Sequence, residues 1–89
     1  MLESEHFRLS EHALRRLQQR QEIASQWIER VLSCPDYVQV DPKDPQLKQA
    51  YGRIPEYGNR LLKIVYDEST DPWTVVTIFF DRTMRKKLP

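Results

Sequence analysis

Apolar and polar positions change their rhythm once along this chain. Between Ser10 and Ser33 the apolar residues recur at helical spacing. Ala13, Leu14 and Leu17 make one stripe, and Trp27, Ile28, Val31 and Leu32 make a second, broader one. Ser10 can cap the first helix, because its hydroxyl can accept a hydrogen bond from a free N–H of the first turn. Glu11 then lies at the positive end of the helix dipole and Arg20 near the negative end. The pattern places the end of this helix near Gln21. Ser25 is placed to cap a second helix, which runs to about Ser33 and is stopped by Pro35. Two short helices with a tight connection predict an αα-hairpin.

From Tyr37 onward the runs are rich in Val, Ile, Thr, Tyr and Phe, which favour strands. Strands are predicted over Tyr37–Val40, Leu47–Ile54, Arg60–Tyr66 and Trp73–Phe80, and His6–Leu9 can add a short one. Asp41-Pro42-Lys43-Asp44-Pro45 is a loop, since two prolines interrupt any ladder. Gly58-Asn59 and Asp67–Pro72 are turns. The last run is apolar enough on both sides to predict a central position. The expected fold is α+β: an N-terminal αα-hairpin packed on a twisted, mainly antiparallel four-stranded sheet.

With 89 residues the chain reads as a single domain, 1–89. A formal net charge of +1 argues against a strong, nonspecific nucleic-acid binder. The charge is uneven, however. Residues 1–33 balance five Arg against five Glu, whereas the tail 82–89 holds Arg82, Arg85, Lys86 and Lys87 and no acid. Cys34 is the only cysteine, which excludes an intrachain disulfide and fits a reducing compartment. The first ten residues lack the apolar stretch of a signal peptide, and no run approaches the ~20 apolar residues of a membrane span. A cytoplasmic protein without membrane association is expected. His6, His12 and Cys34 have no metal-ligand spacing, and two glycines form no phosphate loop, so no metal or cofactor is expected.

Candidate chemistry begins with His12, Arg16 and Arg20, which share one helix face at intervals of four. His12 can move a proton near neutral pH, and the two arginines can hold phosphate charge. RNA cleavage by internal attack needs those roles. The same spacing also arises on any solvated, charged helix face. Tyr51 and Arg53 alternate onto one face of a strand, and Arg60 and Lys63 lie across the Gly58-Asn59 turn. Aromatics interleaved with cations suit base stacking and phosphate contact. Half-exposed strands alternate in this way too.

The opening Ser10-x-His12-Ala13-x-x-Arg16-x-x-x-Arg20, followed by Ile23, Ile28, Leu32 and Pro35, resembles a prokaryotic domain-of-unknown-function family related to the RelE/ParE-like toxin superfamily. Arg60–Tyr66 and Val75–Ile78 resemble its later strands, so the likeness covers roughly residues 6–81. It implies a RelE/ParE-like fold and a toxin-like protein acting on RNA, with a ribosome-associated, metal-independent mRNA endonuclease as the enzymatic form. The implied partners are an antitoxin-like protein, mRNA or a ribosome. It also directs attention to Asp81, Arg82 and Arg85 after the last strand. Gln21-Glu22 stands where such sequences commonly have glycine. A non-catalytic protein- or RNA-binding module of the same fold is the alternative.

Overall fold

The computed structural model describes residues 6–87. Ser10 caps helix α1 (Glu11–Gln19): its backbone is extended, and its hydroxyl oxygen accepts a hydrogen bond from Ala13 N at 3.1 Å. The same hydroxyl donates to the Val76 carbonyl at 3.1 Å, so the cap also ties the helix to a strand. Helix α2 spans Ser25–Ser33. Ser25 is its first residue rather than its cap; that position falls to Ala24, which offers no capping side chain.

Five strands build one sheet: β1 (Phe7–Leu9), β2 (Tyr37–Val40), β3 (Lys48–Ile54), β4 (Arg60–Asp67) and β5 (Trp73–Phe80), in the order β1-β5-β4-β3-β2. Strands β2 to β5 form the antiparallel meander. The expectation of four strands is corrected by β1, which pairs in parallel with β5, Phe7 opposite Trp73 and Leu9 opposite Val75. The sheet is therefore mixed. The central strand is β4, not β5. Five of the eight β4 residues are buried, whereas β5 buries only Val75 and Ile78. A register shift opposite Val65 and Tyr66 lets β5 keep both Val75 and Ile78 on the helix side.

Alternation along the strands sorts the two faces. Ala50 and Ile54 of β3, Leu62, Ile64 and Tyr66 of β4, and Val75 and Ile78 of β5 join Ala13, Leu17, Trp27, Ile28 and Val31 in the main core. Tyr51, Leu61 and Val65 point the other way, yet they too are buried. Strand β2 lies beyond the helices and leaves Tyr37, Val38 and Val40 exposed along an edge.

Two short segments shape one end of the sheet. Between β3 and β4 a 3₁₀ turn (Pro55–Tyr57) leads into Gly58 (φ 65°) and Asn59 (φ 55°). After β5, Asp81 caps a short helix α3 (Arg82–Arg85) by accepting from Met84 N at 2.9 Å. Part of the basic tail is thus folded against β4. The fold is α+β, a five-stranded mixed sheet with three α-helices among the described residues. None of these helices is long and apolar enough to cross a membrane.

The 3₁₀ turn is fastened to α2 by a forked pair: Arg30 donates to Glu56 at 2.9 and 2.7 Å. Hydrogen bonding from Arg30 holds the Glu56 carboxyl down at about 2, against an ordinary value of 4.5. Because the folded value is depressed, the stabilisation is present above pH 4.5 and is lost as pH falls toward 2. An Arg30→Gln variant should therefore lose less stability than the wild type over that acid range. Thermal midpoints measured across it check this, and parallel pH profiles would refute it.

Candidate functional site

Where β4 begins and β5 ends, Arg20 at the C-terminal end of α1 and Arg82 and Arg85 of α3 help line an open cleft of about 470 Å³. Its walls bring together Arg20, Arg60, Asp81, Arg82 and Arg85, five residues singled out from sequence, from three separate parts of the chain. Lys86 adds a sixth charge, and Leu61 and Phe80 supply an apolar surface. Five cations thus face one carboxylate within the lining.

Each cation is held differently. Arg20 Nε donates to Glu22 Oε2 at 2.9 Å, so much of its charge is answered locally. Glu22 is held below the usual carboxylate range first by its own backbone hydrogen bond and then by Arg20, with Arg60 adding a smaller pull. Arg60 lies over the Tyr57 ring at 4.8 Å. Tyr57 in turn meets Phe80 at 5.3 Å and Trp27 at 5.7 Å, which joins the cleft wall to the core. Arg85 donates to the Gly58 carbonyl at 3.0 Å, bridging α3 to the turn. Arg60, Arg82 and Arg85 form no salt bridge with a carboxylate among the described residues. Three arginines with no salt-bridged carboxylate are a natural seat for phosphate oxygens.

Asp81 links the cleft to the open face of the sheet. Its Oδ1 caps α3, and its Oδ2 lies 3.8 Å from Lys63 Nζ. Lys63 stands opposite Tyr51 on one side and Phe79 on the other, and Tyr51 stands opposite Tyr37. The ammonium lies 5.6 Å from the Tyr51 ring and 5.1 Å from the Phe79 ring. Arg16 leans past the edge of β5 to within 5.9 Å of the Phe79 ring. Its Nε is buried and has no hydrogen-bond partner. The result is one row across the sheet: Arg16, Phe79, Lys63, Tyr51 and Tyr37.

A family model described as a domain of unknown function, DUF4258, matches residues 9–80. The chain belongs to the DUF4258 family. The matched span runs from the end of β1 to the end of β5, so this DUF4258 domain contributes Arg20, Arg60, Leu61 and Phe80 to the cleft from within it. Asp81, Arg82, Arg85 and Lys86 lie just beyond it. No curated protein matches the chain, and no solved structure does.

The remaining sequence candidates of this DUF4258 chain fall elsewhere. His12 is exposed on the first turn of α1, eight residues before Arg20, or about 12 Å along the helix axis. The expected stripe therefore divides: His12 faces solvent, Arg16 crosses the strand edge and Arg20 reaches the cleft. Tyr51 is 1% exposed, its hydroxyl donating to Gln49 at 2.9 Å and accepting from Gln39 at 3.2 Å. Its ring is packed inside the row, and Tyr37 is the exposed aromatic of that face. Arg53 shares the face, and its backbone N–H is held by Asp36 at 2.8 Å. Sequence reading missed Leu61 and Phe80, whose apolar character marks a strand end as readily as a cleft wall. A smaller depression of about 330 Å³, lined in part by His6, Glu29 and Trp73, contains none of the sequence candidates. Among the described residues no three His, Cys, Asp or Glu side chains are grouped to hold a metal ion.

Proposed function

We propose that this protein is a toxin-like RNA-binding protein of RelE/ParE-like fold, whose cleft holds the RNA backbone. The observation that carries the proposal is the convergence of Arg60, Arg82 and Arg85, each without a carboxylate partner among the described residues, on one cleft. Their charge is local, so the near-zero net charge of the chain does not oppose it. The helical pair laid over an antiparallel meander, with the first strand alongside the last, supports the fold assignment.

A ribosome-associated mRNA endonuclease is the second reading. It is favoured by the density of cations available to a developing phosphorane. Proton transfer is its weak point: His12 stands a helix length from the cleft, and Asp81 is occupied by α3 and Lys63. An antitoxin-like protein would find its place on the free edge of β2, where Tyr37, Val38 and Val40 are exposed and an added strand could pair.

One experiment separates these readings: a labelled single-stranded transcript is titrated with the protein at several salt concentrations, and then recovered after a reconstituted translation reaction. Salt-dependent binding with intact transcript is expected. Absence of binding at low salt would overturn the proposal. Cuts that disappear in a folded His12→Ala variant would establish the endonuclease.

A further inference from the structure

The cleft is not only cationic. Phe80 is half-buried in its wall beside the buried Leu61, and Arg60 lies over the Tyr57 ring, which meets Phe80 at a tilt. At about 470 Å³ its size lies within the range of sites that enclose a small molecule, roughly 300–1,000 Å³. A backbone track would need only charge; a cleft of this size with an apolar wall has room for something planar as well. From these features, and resting on the RNA-binding reading above, we propose that the cleft takes one unpaired nucleotide as a unit. Its phosphate lies among Arg60, Arg82 and Arg85, and its base lies against Phe80.

The construction of the walls supports this assignment. Arg85 is already fastened to the Gly58 carbonyl and Arg60 already rests on Tyr57, so two of the three cations are set in place before a ligand arrives. Pre-set groups lose less freedom on binding than mobile ones. The carboxylate of Asp81, which would repel a phosphate, is turned to Met84 N and Lys63. None of the lining residues is Asn or Gln, the side chains best suited to reading a base edge in a bidentate manner. Recognition therefore rests on stacking and charge, which every base can satisfy. A paired base, closed on both sides within a duplex, cannot present its ring to Phe80. The ligand class is single-stranded RNA, or its end, and the smallest competent piece is a nucleoside monophosphate.

The test is competition against a short labelled oligouridylate bound to the wild-type protein. Uridine monophosphate, adenosine monophosphate, inorganic phosphate and an RNA duplex are the competitors. The expected result is that both nucleotides displace the probe at concentrations at least about tenfold below that of inorganic phosphate, and that the duplex competes poorly. Replacing Phe80 by Leu should remove most of that advantage while leaving the salt dependence of probe binding unchanged, because no charge is altered. If phosphate competes as well as the nucleotides, or the duplex as well as the single strand, while Arg82→Ala still weakens probe binding, the single-nucleotide site is wrong and the RNA-binding reading stands. If the probe does not bind, or binds equally well to Arg82→Ala, both are wrong.

Discussion

Replacing Arg60, Arg82 and Arg85 together by Ala lowers affinity for single-stranded RNA by about 10³-fold. Each arginine can form charge-assisted hydrogen bonds worth about 1.5–3 kcal/mol, and roughly 1.4 kcal/mol corresponds to a factor of ten. The cleft is open to solvent, which favours the lower end of that range. The same variant should take about 0.7 units off the slope of log affinity against log salt, since the three arginines share one phosphate and each phosphate contact on a single strand contributes roughly that much. Arg20→Ala, by contrast, should change affinity less than any one of the three, because Glu22 already answers its charge. The exposed Arg15, paired with Glu11 on α1, is the control that should change nothing. Titrations at several salt concentrations read all of these. An unchanged slope in the triple variant would remove the cleft from RNA binding altogether. The fold should survive, since the three substitutions take away a cation–π interaction on Tyr57 and one hydrogen bond to Gly58, both at the surface.

The largest expected effect on stability lies where β3 meets α2. Gly52 of β3 faces α2, and a Cβ built there would meet Val31 Cγ2 at 2.6 Å and Cγ1 at 3.2 Å. Val31 cannot swing aside, because a β-branched residue in a helix has essentially one rotamer. Gly52→Ala must therefore lift α2 from the sheet, loosening Trp27 and Ile28 beside it. Overpacking of this kind costs about 1–3 kcal/mol, and in a domain of this size each kcal/mol lowers the thermal midpoint by roughly 4–8 °C. Adding Val31→Ala should recover part of the loss, so the double variant is less destabilised than the sum of the two single ones. Denaturant melts of the three variants test this. A Gly52→Ala protein as stable as the wild type would show that α2 is free to shift.

How much of this was legible in the sequence follows from the range of each signal. Ser10, Pro35 and Gly58-Asn59 act through bonds to near neighbours or through their own torsion angles, and the elements they bound are where the pattern places them. β1 has three residues, too few for a period, and its partner is chosen by tertiary packing far along the chain. The open face is a similar case. Alternation put Tyr51, Arg53 and Lys63 on one side of the sheet, as the structure has them, but Arg60, expected beside them, stands opposite Ile54 on the other side. The pattern could not show that Lys63 would lie between two rings and help bury Tyr51. Spacing placed His12, Arg16 and Arg20 on one helix face, but a guanidinium reaches far beyond its Cα. Arg16 and Arg20 consequently serve different surfaces. The cleft was legible only in pieces, because α1, the β4 start and α3 converge through the sheet order rather than through any local motif.

The parallel pairing of β1 with β5 also dictates an order of events during synthesis. Ser10 is tied to Val76 across 66 residues, and α1 lies against β5. Until β5 has left the ribosome, Ala13 and Leu17 lack the surface that covers them in the finished protein. The β2–β3–β4 hairpins can close earlier, since their pairings are local. Helix α1 is therefore among the last elements of this domain to dock, and its apolar stripe stays uncovered until β5 is made.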